Sequence, residues 1–398
     1  MTTNRPHCPA CHNTTKKNGT TTKGTTRWRC TTCGHSFTRT TQTAAINTAT
    51  FNQFITYITG THTLTHIAAH HHLTRQTLHT RFNWCWLIIP TPHIDPHRIE
   101  DQIFLDATYL TSGCLLIAST KHHILNWTWA RSETTHAYIR LIQPLAPPLM
   151  TIIDGGQGAQ SAIHSCWPTT TIQRCLVHAQ RAIRRHTTTR PNTDAGKAIW
   201  SLARQLTDIT TTDHAARWAV LLHEFHGTYH QWMDEKTTIK DPLTSAYKRV
   251  FTHPKVRAAF HSLQSLYKRD LLFNYLQPPP QAIDPDAFAS TTNVLEGGFN
   301  SPLKELVRRH RGLTIPHQRT AVDWWLYLRT RAPDDPVRIA RSQRWGQDGL
   351  DRAQELITHE HTTAATNDDG APAGYDTAID TEYQHSMGIQ KGWAGHRD

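Results

Sequence analysis

The chain has 398 residues, a formal net charge of +11 with histidine neutral, and a pI of about 9.4. That length exceeds what one hydrophobic core usually serves, so we expect two or three domains. No apolar run approaches the ~20 residues that span a bilayer, and the first residues lack the apolar segment of a signal peptide, which predicts a cytoplasmic protein without membrane contact. The positive charge favours polyanions such as nucleic acid, although charge alone does not establish that partner.

Four of the eight cysteines form two Cys-x-x-Cys pairs near the start of the chain, Cys8 with Cys11 and Cys30 with Cys33. Each pair can place two thiolates on one side of a cation, so the two pairs complete a tetrahedral zinc shell. Because so short a segment has little core, we predict a zinc ribbon over residues 1–40 that the Zn²⁺ ion stabilises. Four sulfur ligands leave no open position, so this zinc would be structural.

The predicted ribbon turns at residues 16–19 and returns through a strand at 26–30. That strand carries Arg27, Trp28 and Arg29, and a combination of basic and aromatic side chains favours contact with DNA. In the alternative interpretation the cations are only solvated, and Trp28 covers the small core of the ribbon.

Residues 41–98 are expected to form a helix-turn-helix DNA-binding domain. Apolar residues in 51–59 recur at the spacing of one helix face, and Gly60 ends that helix. In the second helix Leu64, Ile67 and Ala68 would pack inward.

A third helix would follow a turn at His72, where glycine is usual and where histidine tolerates positive φ at some cost. Thr74 would cap this helix, which would present Arg75 and Gln76 to a major groove. An ordinary helical hairpin remains the alternative.

A sheet is predicted from residue 102 onward. Strands are expected at 103–110, 114–119, 124–130, 149–154 and 171–175, and helices at about 133–142, 161–166 and 178–186. The first of these helices would be capped by Ser132, with Glu133 in its first turn. The order of strands and helices predicts an α/β fold with a mixed sheet like that of ribonuclease H. Apolar residues at helical spacing then predict a helical insertion at about 195–285.

Three acidic residues mark this region as a candidate site. Asp106 and Asp154 end apolar runs, and Glu296 begins a helical stretch. Three carboxylates on one open surface can hold two divalent cations for phosphoryl transfer. Each also has an ordinary structural alternative, because Asp106 could cap a hairpin, Asp154 could initiate a turn with its two following glycines, and Glu296 could pair with Asn293 in a capping box.

Taken together, the motifs resemble a bacterial insertion-sequence transposase of the DDE class, in the Mutator-like group, with an N-terminal zinc ribbon. The resemblance extends from the ribbon to about residue 330. It rests on Leu-Asp106-Ala-Thr, on Ile-Ile-Asp154-Gly-Gly, on Arg-Cys175-Leu-Val-His178-Ala-Gln-Arg181 and on Asn-Val-Leu-Glu296-Gly-Gly-Phe-Asn.

The resemblance implies an enzyme that binds transposon ends, cleaves DNA and transfers the freed strand to target DNA. Asp106 would bridge two Mg²⁺ or Mn²⁺ ions, and Asp154 and Glu296 would each hold one. Double-stranded DNA would be the partner, and pairing two ends would need a homo-dimer or larger assembly. The function of Cys175 and His178 stays open between structure, DNA positioning and metal binding.

Basic side chains near the acidic residues would bind phosphates, because arginine forks match phosphate geometry. The candidates are Arg181, Lys304, Arg308 and Arg309, and a solvated basic face is the alternative.

The catalytic domain is expected at 99–335 and a partly disordered tail at 336–398. A DNA-binding regulator that has lost catalysis, and a nuclease that cuts without joining, are the competing functions.

Overall fold

The computed structural model describes residues 5–240, 247–285 and 288–355. The polar part of the predicted tail, from residue 356 onward, lies outside these residues. None of the described helices is both long and apolar enough to cross a bilayer. The strands are β1 (Thr15–Thr20), β2 (Thr26–Cys30), β3 (Ser36–Thr38), β4 (Gln102–Leu110), β5 (Gly113–Ser119), β6 (Ile124–Ala130), β7 (Met150–Ile153), β8 (Thr171–Arg174), β9 (Lys236–Lys240) and β10 (Tyr247–Phe251).

The helices alternate with these strands along the chain. They are α1 (Arg39–Thr59), α2 (Leu64–His70), α3 (Arg75–Arg81), α4 (Thr135–Ile142), α5 (Gln157–Cys166), α6 (Leu176–Thr187), α7 (Asp194–Gln205), α8 (Thr212–Asp234), α9 (Pro254–Lys268), α10 (Asn293–Leu295), α11 (Ser301–Arg309), α12 (Ile315–Tyr327) and α13 (Pro336–Ser342). A five-residue π-helix, Glu296–Asn300, follows α10 directly.

The chain divides into two compact units. Among the described residues, the first contains 5–91, 308–328 and 332–355, and the second contains 92–240, 247–285, 288–307 and 329–331.

The first unit begins with a three-stranded antiparallel sheet in the order β1-β2-β3. The predicted returning strand is confirmed as β2, but the predicted turn at 16–19 is wrong. Those residues lie in β1, whose pairing is irregular after Lys17, and the chain turns at residues 21–25 instead. Both Gly19 and Gly24 have positive φ, so both positions offer the backbone freedom of a turn.

Helices α2 and α3 confirm the local predictions made for their sequence. Leu64, Ile67 and Ala68 are buried, and His72 has a φ of +53°. The Thr74 hydroxyl caps α3 by accepting a hydrogen bond from the backbone N–H of Thr77 at 3.1 Å. Helix α1 is longer than expected, because it begins at residue 39 and continues without a break to residue 59.

An aromatic cluster forms the centre of the first unit. Phe51 of α1 stacks on Phe54 and on Trp84, and meets the edge of Trp324 of α12 at 5.5 Å between ring centroids. Trp324 also donates a hydrogen bond from Nε1 to the carbonyl of Ile88 at 3.1 Å. These contacts place α12 in the unit of α1, although more than 250 residues separate them in sequence.

The second unit contains a five-stranded mixed sheet in the order β6-β5-β4-β7-β8. Strands β4, β5 and β6 are antiparallel neighbours, whereas β7 and β8 run parallel to β4. The predicted strands are confirmed within one residue at each end. The apolar run of β7 is buried throughout, as expected for a strand that is covered on both faces.

Helix α4 differs from its prediction in a way that affects the site. Thr134, not Ser132, is its N-cap, since the Thr134 hydroxyl accepts a hydrogen bond from the backbone N–H of Ala137 at 3.2 Å. Glu133 therefore precedes the helix instead of lying in its first turn.

Helices α6 to α9 pack around a second apolar core, which confirms the predicted helical insertion. Leu202, Leu206, Trp218, Leu222 and Phe225 are all buried there. The insertion is not wholly helical, however. Strands β9 and β10 form a separate antiparallel hairpin between α8 and α9 that the helical pattern did not predict.

Replacing Phe51 by alanine should lower the free energy of unfolding of the first unit by about 3–5 kcal/mol, because it removes the central ring of the aromatic cluster and leaves a cavity. Denaturant titration followed by tryptophan fluorescence measures this loss. Ile46→Ala, at a half-exposed position of the same helix, should change stability by less than about 0.5 kcal/mol. Equal losses in the two variants would contradict the assignment of Phe51 to the core.

Candidate functional site

Asp106 lies in the middle of β4 and close to Asp154. The parallel register pairs Leu105 with Ile153, so the next residue on each strand is one of the two aspartates. Asp106 is 8% exposed, and it accepts a hydrogen bond from the side-chain amide of Asn300 at 2.5 Å. It faces no turn, because it pairs with Ile117 of β5, so the hairpin-cap alternative is wrong.

The surroundings of Asp106 disfavour its charged form. Burial has the largest effect and raises the pKa of Asp106 to about 6, and the negative charge of Asp154 adds to the increase. The hydrogen bond from Asn300 and the nearby His178 act in the opposite direction. The sheet therefore holds the buried carboxylate of Asp106 beside the partly buried Asp154. Asn300 and His178 offset only part of the resulting increase in the pKa of Asp106.

Asp154 begins a tight turn at the end of β7. Its Oδ1 accepts a hydrogen bond from the backbone N–H of Gly156 at 3.1 Å, so the turn function left open by the sequence is present. Gly155 has a φ of +101°, and a β-carbon there would lie 1.8 Å from Nη1 of Arg174. Only glycine therefore allows the Arg174 guanidinium to pack against this turn, where it is attracted by the charge of Asp154.

Glu133, predicted to lie in the first turn of a helix, is an acidic member of this site. A β-carbon added at Gly156 would lie 3.6 Å from Oε2 of Glu133 and 3.7 Å from Oδ1 of Asp154, so both carboxylates border the same small space. Oε2 also accepts a hydrogen bond from the hydroxyl of Tyr138 at 3.3 Å. Burial, followed by the charge of Asp154, raises the pKa of Glu133 to about 7.

Glu296 begins the π-helix and forms an ion pair with Arg181. Nη1 of Arg181 donates to Oε1 of Glu296 at 2.9 Å, and Nη2 donates to Oε2 at 3.4 Å. Nε2 of His178 lies 3.9 Å from the same Oε1. The hydrogen bond from Arg181 lowers the pKa of Glu296. Its side chain thus faces α6, and no side-chain cap is present at α10, so the capping-box alternative is wrong.

His178 interacts electrostatically both with the paired aspartates and with Glu296. Its charge acts on Asp106 and on Glu296, and the charge of Asp154 acts on His178 in turn. The neighbouring Cys175 has the largest effect on His178 and raises its pKa. His178 therefore lies within electrostatic reach of all three predicted catalytic residues.

Cys175 positions the segment that carries Glu296. Its buried sulfur accepts hydrogen bonds from both the backbone N–H and the hydroxyl of Thr292, each at 3.3 Å. Thr292 immediately precedes α10, so these bonds fix the start of α10 against the end of β8. Of the functions that the sequence left open, the structure favours a structural one for Cys175.

Among the described residues, the sulfur atoms of the four N-terminal cysteines lie close enough together to bind one metal ion. Their sulfur atoms all lie within 4.8 Å of one another. Backbone N–H groups of Thr32 and Cys33 donate to the sulfur of Cys30, both at 3.4 Å, and they lower the pKa of Cys30 to about 6, with Cys33 contributing more. Both the spacing and these donors favour thiolates that share one cation.

The three acidic residues do not reach that proximity. Among the described residues, no group of three carboxylates has its oxygens within 4.8 Å of one another. The structure places Asp106 in β4 beside Asp154 at the end of β7, whereas Glu296 is held by Arg181 of α6.

The candidate DNA-binding residues of the first unit differ in exposure. Arg27 and Arg29 are exposed on one face of β2, whereas Trp28 is 4% exposed on the other face. Trp28 thus covers the core of the ribbon, which was the alternative to DNA contact. Arg75 and Gln76 are exposed at the start of α3. The first 94 residues contain nine lysines and arginines and no aspartate or glutamate, so most of the net charge lies there.

The remaining predicted cations lie on α11. Lys304 is exposed, and its charge reaches Glu296. Arg308 and Arg309 are exposed in the first unit, and Nη1 of Arg309 donates to the carbonyl of Gly60 at 2.8 Å. Arg309 thus has a structural contact in addition to its predicted function.

One family comparison bears on this geometry. Residues 117–283 match the family described as Transposase, Mutator family. This segment, which covers less than half of the chain, is therefore similar to Mutator-family transposases. The matched segment contains Glu133, Asp154, Cys175, His178 and Arg181, whereas Asp106, Glu296 and the four ribbon cysteines lie outside it. No curated protein matches the chain closely enough to count as a relative.

Glu133→Gln should stabilise the protein at pH 8 by about 3 kcal/mol when no divalent cation is added. Because the pKa of Glu133 rises from 4.5 to about 7 on folding, the folded protein binds more protons than the unfolded chain in that interval, and its stability falls as the pH rises. Glutamine removes the charge and can still accept the hydrogen bond from Tyr138.

Thermal melts between pH 4 and pH 8 measure the effect. The advantage of the variant should disappear below about pH 4.5, where the carboxyl is protonated in both states. Glu224→Gln, at an exposed position of α8, serves as the control and should show no such pH dependence. A variant that is equally or less stable at pH 8 would show that Glu133 is not crowded by its neighbours.

Proposed function

We infer that the protein is a DDE transposase that binds transposon ends and catalyses metal-dependent cleavage and strand transfer. The observation that carries this proposal is that parallel strands β4 and β7 place Asp106 and Asp154 side by side. Asp154 lies within the segment that matches the transposase family, and Asp106 lies shortly before it. The sheet order supports a ribonuclease H-like fold, in which a first hairpin and two parallel strands surround the strand of the first aspartate.

The carboxylates of Asp106, Asp154 and Glu133 are chemically suited to bind Mg²⁺ or Mn²⁺. Carboxylate oxygens are the hard ligands that these cations prefer. Burial has the largest effect in raising the pKa values of Asp106 and Glu133, and the charge of Asp154 adds to it, so a bound divalent cation would stabilise the charged forms. Asp106, Asp154 and Glu296 would hold two ions, which when bound would acidify a water molecule and stabilise the departing 3′ oxygen.

The chain's own residues prepare this site in identifiable ways. Asn300 fixes one oxygen of Asp106, so the other oxygen can serve as a ligand. Cys175 and Thr292 fix the start of the segment that carries Glu296. Arg181 holds Glu296 through two hydrogen bonds, and that carboxylate must leave Arg181 before it joins the two aspartates. Arg181 and Lys304 would then bind the phosphates of the DNA.

DNA binding is proposed mainly for the first unit. Helices α2 and α3 would act as a helix-turn-helix that presents Arg75 and Gln76 to a major groove. The ribbon adds a pocket lined by Arg5, Lys16, Lys17 and Arg39 together with Trp28, whose buried Nε1 has no hydrogen-bond acceptor among the described residues. Four cations and one indole donor suit a backbone phosphate. Pairing of two ends would require at least a homo-dimer.

Asp106→Asn, Asp154→Asn and Glu296→Gln should each lower the rate of DNA cleavage by at least about 100-fold, because each removes one anionic ligand. Duplex DNA that carries a labelled transposon end, incubated with Mg²⁺, provides the assay. Binding of the same duplex should persist in all three variants, and Glu224→Gln is the matched control for charge loss. Cleavage at the wild-type rate by any of the three would remove that residue from the catalytic set.

A pre-cut labelled end separates the competing functions. A transposase should join it to target DNA, whereas a nuclease that only cuts should release fragments without joined product. A regulator without catalysis should bind the end and do neither.

Purified protein should contain one equivalent of zinc, and Cys30→Ser should lose it, because three thiolates hold the ion less tightly than four. Metal analysis measures the stoichiometry, and Cys85→Ser, at a buried cysteine outside the cluster, serves as the control. A full equivalent of zinc in the Cys30 variant would contradict the predicted ribbon site.

A further inference from the structure

The β9–β10 hairpin projects from the helical insertion without a core of its own. All five residues of β9 and the first three of β10 are exposed, including Ile239 at 45% and Tyr247 at 77%. A two-stranded hairpin is only marginally stable by itself. Packing therefore does not explain why this hairpin exposes side chains on both of its faces. Neither the family match nor the acidic site assigns it a function.

The cross-strand register sorts the hairpin's side chains onto two faces. The pairs Lys236–Phe251, Thr238–Arg249 and Lys240–Tyr247 share one face, because side chains alternate along each strand. That face therefore interleaves three cations with two aromatic rings. The other face carries Lys248 opposite Ile239. The ten residues of the two strands contain four lysines and arginines and no acidic residue.

Among the described residues, acidic side chains pair with cations at the base of the hairpin. Asp234 pairs with Arg257 at 3.3 Å, and Glu235 pairs with His253 at 3.1 Å. The guanidinium carbon of Arg257 lies 4.1 Å from the ring centroid of Phe251, the cross-strand partner of Lys236. This contact anchors the base of the hairpin to α9. Farther along the strands, no carboxylate of the described residues pairs with Lys240, Lys248 or Arg249.

We propose that the β9–β10 hairpin is a DNA-binding arm that contacts the phosphate backbone of duplex DNA. A two-stranded antiparallel ribbon is of a size that the major groove admits, and its lysines and arginines match the charge of the phosphates that border the groove. Tyr247 lies among these cations, where its ring can pack on sugar or base edges. The proposal rests on the proposed function for the identity of the partner, but it does not depend on the acidic site.

The salt dependence of DNA binding tests the arm. Each phosphate contact contributes about 0.9 to the slope of log K against log salt concentration. The variant K240A/K248A/R249A should therefore lower the slope by about 2–3 relative to the wild type, measured by fluorescence anisotropy with duplex DNA at several KCl concentrations. The control variant R204A/K255A/K268A removes the same charge from exposed positions on α7 and α9 of the same insertion and should leave the slope unchanged.

The outcomes separate the two proposals. If the hairpin variant keeps the wild-type slope while DNA still binds, the arm is wrong and the transposase proposal stands. Equal decreases in both triple variants would show a general charge effect and would also overturn the arm. If the wild-type protein binds no DNA, the proposed function itself fails.

Photocrosslinking provides a second measurement that does not remove charge. A benzophenone amino acid at position 247 should crosslink to duplex DNA, whereas the same amino acid at position 267 should not. Tyr267 is the matched control, because it is 44% exposed on α9. Crosslinking at position 267 but not at 247 would place the DNA elsewhere on the insertion and overturn the proposal.

Discussion

Burial of one carboxylate beside another is the constraint on which the site in the second unit depends. Strands β4 and β7 run parallel, and their register puts Asp106 and Asp154 at adjacent positions, so backbone hydrogen bonding fixes where both charges lie. The chain adds Glu133 to the same space. Charge crowded in this way destabilises a fold unless something else holds the groups together. Here the sheet does so, and the compensation from Asn300 and His178 is incomplete.

Several surrounding features follow from that constraint. The left-handed turn at Gly155 leaves room for Arg174, whose charge faces Asp154. The π-helix places Asn300 against Asp106 while Glu296, four residues earlier, faces Arg181. An α-helix would orient this pair of side chains differently, and single π turns inside helices are frequent at functional sites. The two glycines between them have open space around them and are compatible with this wider winding.

The sequence predicted those parts of the fold that short segments determine by themselves. Continuous apolar runs located the central strands, and the cap at Thr74 and the turn at His72 were predicted from residue type and position. Local ambiguity caused two errors. Ser132 and Thr134 are both good caps, and Gly19 and Gly24 both permit a turn, so tertiary packing decided between them.

Contacts between distant residues were beyond such reasoning. The bond from Asn300 to Asp106 joins residues 194 positions apart, and no local pattern announces it. The hairpin was missed because its strands have few apolar residues and are stabilised by pairing with each other. Glu133 was assigned to the first turn of a helix for a similar reason, since its position beside Asp154 depends on how α4 and α5 pack against the sheet.

Under the proposed function, Glu296 would have two arrangements, one paired with Arg181 and one beside Asp106 and Asp154. Both side chains are more than one third exposed, and an ion pair of that kind contributes only about 0–1 kcal/mol to stability. Exchange of Glu296 for a DNA phosphate on Arg181 would therefore cost little, because the arginine would keep a bidentate anionic partner. The released carboxylate would then approach Asp106 and Asp154, which would repel it unless cations were present. Under this proposal DNA and metal would have to arrive together for Glu296 to move, which would restrict cleavage to DNA that is already bound.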